Sequence, residues 1–74
     1  MASLHGSKRD RFKKLAEQRT NAVMHKLKVL GNCSNRSAYE YTEEEISKIF
    51  SAIERQVRET KAKFHFPKNQ KFKL

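Results

Sequence analysis

The 74-residue chain carries 17 Lys and Arg against 8 Asp and Glu, a net charge of +9 at pH 7, with 36% hydrophobic residues. That bounds it to one small domain. It also excludes a membrane span, since no apolar run approaches the ~20 residues a bilayer requires. A single cysteine, Cys33, excludes a disulfide scaffold, and two Gly with one Pro exclude a collagen-like or linker-like chain. Met1 to Asp10 lack the apolar stretch of a secretory signal, so the expected setting is the cytoplasm.

The first expected helix covers 8–30. Ser7 stands at the N-cap with Asp10 three residues later, a capping-box pattern, and the body from Lys8 to Leu30 contains neither Pro nor Gly. Gly31 follows the last apolar residue, where a left-handed glycine commonly ends a helix. One apolar stripe runs Phe12, Ala16, Val23, Leu27, Leu30, and a second runs Leu15, Ala22, Val29 at heptad spacing. Lys8, Arg19 and Lys26 fall between them on the wheel, as a cationic seam. These long side chains can snorkel out of one broad core face. Alternatively, the second edge packs against another molecule.

The connector, 31–41, is long for a helix–helix turn. Its Asn32, Asn35, Arg36 and Tyr39 form a possible recognition loop, against the simpler account that Asn and Ser serve local turn hydrogen bonds. The second expected helix covers 43–64. Thr42 and Glu45 make a capping box, and Tyr41 and Ile46 a hydrophobic staple. Glu43, Glu44 and Glu45 complement the helix dipole. Glu44–Lys48, Glu54–Arg58 and Glu59–Lys63 stand at i,i+4 in the favoured order. The apolar stripe is Ile46, Ile49, Phe50, Ile53, Val57 and Phe64, and Pro67 stops continuation much past Phe66. A basic tail, 65–74, follows.

At ~1.5 Å per residue the two helices come out near 33 Å each. Equal lengths imply an all-α fold: an antiparallel two-helix hairpin. A hairpin this small cannot enclose a full core, so it is expected to self-associate, as a homodimer forming a four-helix bundle. Simple register sets Arg19 level with Glu54.

The charge is uneven. Residues 1–30 hold eight cations against Asp10 and Glu17, and residues 46–74 hold eight against Glu54 and Glu59, whereas 31–45 is net acidic. In a hairpin the two basic ends meet. Lys8, Arg9, Arg11, Lys13 and Lys14 would then share one patch with Arg58, Lys61, Lys63 and Lys68, and with Lys71 and Lys73 beyond. Such a patch attracts nucleic acid, DNA or RNA, by counterion release. Phe64, His65, Phe66 and Phe72 are interleaved with these cations, as rings able to stack on bases. A plain solvated charged face is the competing account. No motif marks catalysis: Cys33 has no base at hand, the three His are scattered, and consecutive Glu43–Glu45 fan around a helix instead of converging. No metal site, cofactor, enzymatic activity or membrane partner is expected. The two functional readings are a nucleic-acid-binding accessory protein and a protein-interaction module that docks on a larger protein.

Three stretches carry a family resemblance: Arg11 to Asn21, Leu30 to Ser37, and Tyr39 to Thr42. They look like a group of short basic helical proteins that accompany bacterial phages and other mobile elements. The likeness spans roughly residues 9–64. It implies a bacterial, cytoplasmic setting and transfers no activity and no site residue.

Overall fold

The structure, a computed structural model, describes residues 6–66, 72 and 74. Its regular elements are all helical: α1, Lys8–Gly31; a short 3₁₀ turn, Asn32–Ser34; and α2, Glu43–Lys61. The chain is thus all-α among the described residues. It divides into two units, Met1–Glu40 and Tyr41–Leu74.

In the first unit, α1 starts where its cap dictates. Ser7 is extended (φ −83°, ψ 174°). Its Oγ accepts from Asp10 N–H at 3.1 Å, and Asp10 Oδ2 accepts from Ser7 N–H at 3.4 Å. Two amides that a helix start leaves without partners are thereby satisfied. Gly6, just before the cap, has φ +62°, and a Cβ there would lie 2.9 Å from Asp10 Cβ. The entry turn therefore requires glycine on both conformational and steric grounds.

The other end corrects the expected boundary. Gly31 is not a left-handed stop; it is right-handed (φ −59°, ψ −24°) and belongs to α1. The chain tightens into the 3₁₀ turn instead, and Asn32 N–H reaches back to Val29 O. Terminal carbonyls find donors this way without a change of handedness. Past it, Asn35 closes a turn, its carbonyl accepting from Ala38 N–H at 3.1 Å and Tyr39 N–H at 2.9 Å.

In the second unit, Thr42 caps α2 in the same manner. Its Oγ1 accepts from Glu45 N–H at 3.1 Å, and Glu45 Oε1 accepts from Thr42 N–H at 2.9 Å. Tyr41 and Ile46, which flank this cap, are both half-buried, as a staple requires. The helix ends at Lys61, three residues short of the expected 64. Lys63 N–H bonds to Thr60 O at 3.1 Å and Phe64 N–H to Lys61 O at 3.0 Å. These i→i+3 bonds wind the last turn too tightly to continue as α-helix. The helices are consequently unequal, 24 and 19 residues, or about 36 and 28 Å.

No described residue is buried. The α2 stripe remains on the surface: Ile46 and Ile53 are half-buried, while Ile49, Phe50 and Val57 are exposed. On α1, Ala16 and Leu30 are half-buried, while Phe12, Leu15, Val23, Leu27 and Val29 are exposed. Each helix offers an apolar face that its own unit does not cover. The described helices contain none long and apolar enough to cross a membrane.

Candidate nucleic-acid interface

Five of the expected site residues fall in the first two turns of α1: Lys8, Arg9, Arg11, Lys13 and Lys14, all exposed. Seven residues of helix span about 10 Å, and at 100° per residue the five surround the axis, forming a cationic collar. Asp10 is the sole acid among them, and it is engaged in the capping box. The collar sits at the positive end of the helix dipole, where cations are disfavoured.

Arg58, Lys61 and Lys63 lie at the last turn of α2 and just past it, also exposed. This end of the dipole favours cations. Lys68 lies outside the described residues, as do Lys71 and Lys73. The ion pair that closes on α2 is Arg55 Nε to Glu59 Oε2, 3.2 Å, between two well-exposed side chains. Glu59 therefore faces Arg55, not the expected Lys63. Such an exposed pair adds at most a few tenths of a kcal/mol.

Phe64 moves furthest from its expected place. Helical periodicity put it on the α2 stripe, four residues beyond Thr60. Because α2 stops at Lys61, Phe64 leaves that face and is 65% exposed. Phe66 is 89% exposed, and His65 between them is exposed too. These rings were expected among the cations as groups able to stack on bases, with Phe64 assigned to the α2 stripe as well. Pro67 in the sequence disfavours helical backbone at Phe66.

The connector is structured by its own side chains. Asn35 Oδ1 accepts from Ser37 N–H at 3.0 Å, an Asx turn, so that oxygen serves the loop. Asn32 forms the C-cap of α1. Arg36 and Tyr39 are exposed. The free thiol of Cys33 is exposed in the 3₁₀ turn, and the described residues contain no cluster of three His, Cys, Asp or Glu fit for a metal ion. Comparison with protein-family models, with curated proteins and with solved structures returned no match.

Proposed function

We propose that this protein is a non-enzymatic nucleic-acid-binding accessory protein whose two basic helix ends act as one phosphate-binding surface. The collar on α1 is the observation that carries the reading. Five exposed cations crowd a helix start where the dipole opposes them, so helix formation alone gives no reason for them. Phosphate neutralisation does give one. Departures from local folding rules tend to coincide with function.

The arrangement we propose is an antiparallel hairpin with Arg19 near Glu54, paired with a second copy as a four-helix bundle. The uncovered stripes on both helices support it: a chain of this size needs association to bury them. The hairpin sets the collar beside Arg58, Lys61 and Lys63. A cytoplasmic setting and kinship with the small basic proteins of mobile elements belong to the same reading.

A salt-series gel shift on the full chain tests it. Affinity for a short duplex or single strand should fall by about 10³- to 10⁵-fold between roughly 50 and 200 mM salt, as neutralising six to ten phosphates requires. Replacing Lys8, Arg9, Arg11, Lys61 and Lys63 with Glu should abolish the shift while circular dichroism stays helical. Unchanged binding by that variant refutes the reading.

The second reading, a module that docks on a larger protein, draws on Leu15 and Val29. They stand on the second edge of α1 and are exposed, as are Phe12 and Val23 on the first edge, so that two partners could each cover one edge. Light scattering that finds a monomer at micromolar concentration, together with no gel shift at low salt, favours it.

A further inference from the structure

We propose that Phe64, His65 and Phe66, with Lys61 and Lys63, form a stacking site for unpaired bases, so that the nucleic acid bound is single-stranded. This inference rests on the nucleic-acid reading above and specifies its ligand.

The termination of α2 creates the site. Had the helix run on, Phe64 would lie on the apolar stripe and point where Val57 points. The bonds from Lys63 N–H to Thr60 O and from Phe64 N–H to Lys61 O end the helix first. The ring is released beside two cations, and Phe66 follows, more exposed still. Neither Lys61 nor Lys63 has an acidic partner within ion-pair range among the described residues. Phe64 and Phe66, at 65% and 89%, are more exposed than the large apolar side chains of the two helices, of which Met24 at 62% is the most exposed.

The sequence favours a stacking geometry, since a residue before proline is biased away from helical backbone toward extended conformations. Along extended chain, side chains two residues apart share a side and stand about 6.6–6.8 Å apart. Two base-stacking steps of ~3.4 Å span the same distance. Where 64–66 runs extended, a base would fit between the two rings, and Lys61 and Lys63, close in sequence, would serve its phosphates. In a duplex the base faces are already occupied, and rings would meet only edges. An anionic membrane would also accept rings and cations, but it takes them from the broad apolar face of an amphipathic helix. Here the rings lie past the helix end, on Phe64, His65 and Phe66.

The test uses the full chain and fluorescence anisotropy with three probes at one salt concentration: labelled oligothymidylate, a duplex of equal length, and anionic phosphatidylserine vesicles. The variants are Phe64→Leu, Phe66→Leu and the double change, which preserve charge and touch no helical residue. The double variant should bind the single strand at least ~10-fold more weakly, from a stacking contribution of this order per ring. Its duplex affinity and its salt slope should stay unchanged. The chain contains no Trp, so Phe66→Trp supplies a unique reporter whose fluorescence should quench on the single strand and not on the duplex. Equal losses on both nucleic acids, no loss on the single strand, or a ring-dependent affinity confined to vesicles would overturn the stacking site while leaving phosphate binding intact. Failure of the unmodified protein to bind either nucleic acid at low salt would sink both readings.

Discussion

The two helices follow opposite electrostatic logic. In α2 every local preference agrees: Glu43, Glu44 and Glu45 at the positive end of the dipole, Arg58 and Lys61 at the negative end, and one apolar stripe between. In α1 the cap agrees and the charges do not. Lys8, Arg9 and Arg11 crowd the start, the last turn contributes only Lys28 as a cation, and the apolar residues divide into two edges. The contrast separates residues that make a helix from residues that the helix displays. α2 is built to form, whereas α1 carries charge in spite of its own dipole and keeps its start through Ser7 and Asp10.

The largest expected effect comes from exchanging these roles. Replacing Lys8, Arg9, Arg11, Lys13 and Lys14 by Glu should remove most polyanion affinity and flatten the salt slope by about one for each phosphate no longer neutralised. The same variant should gain helicity, because Glu suits a helix start. A gel shift and a circular dichroism spectrum on one sample read both signs. If helicity falls together with binding, the collar serves the fold and the contrast between the helices disappears.

The converse change, Glu43, Glu44 and Glu45 to Lys, should leave binding intact or stronger and fray α2 from its start. Three reversed dipole interactions and the missing Glu45 arm of the capping box together amount to about 2 kcal/mol. Amide exchange at Ile46 and Ser47 would report it. Ser7→Ala and Thr42→Ala should each cost about 1 kcal/mol. The loss should be more visible in α1, where acids contribute only Asp10 to the first turn.

Both helix starts were legible in the sequence because a capping box is complete within four residues. Ser7 with Asp10 and Thr42 with Glu45 carry their partners in plain spacing. The helix ends were not. Gly31 allows a left-handed stop without enforcing one, and periodicity assigned Phe64 to a stripe with no means of detecting i→i+3 bonds three residues earlier. For the candidate site, the collar was legible because it lies within one short stretch, and so was the cluster from Arg58 to Lys63. The proposed joining of the two clusters would require pairing residues some fifty positions apart, such as Lys8 with Arg58, and no local pattern encodes that. The rings were legible as stacking groups among the cations, but periodicity also credited Phe64 to the apolar stripe, because spacing alone cannot tell a core position from a residue past the helix end.

The smallest effect tests how α1 passes into its connector. Gly31 is right-handed, and a Cβ built there meets nothing within 4 Å. Gly31→Ala should therefore stabilise the segment by about 0.5–1 kcal/mol, since alanine loses less backbone freedom on entering a helix. Thermal melts followed at 222 nm would show it as a higher midpoint, and Cα chemical shifts should become more helical through Ser34. Gly6→Ala is the matched control with the opposite sign. There φ is +62° and the new methyl would press on Asp10 Cβ, so the substitution should strain the entry turn and loosen the capping box. If both changes destabilise, Gly31 occupies the left-handed conformation in solution after all. The helix would then stop where the glycine stands, and the 3₁₀ extension through Cys33 would not form.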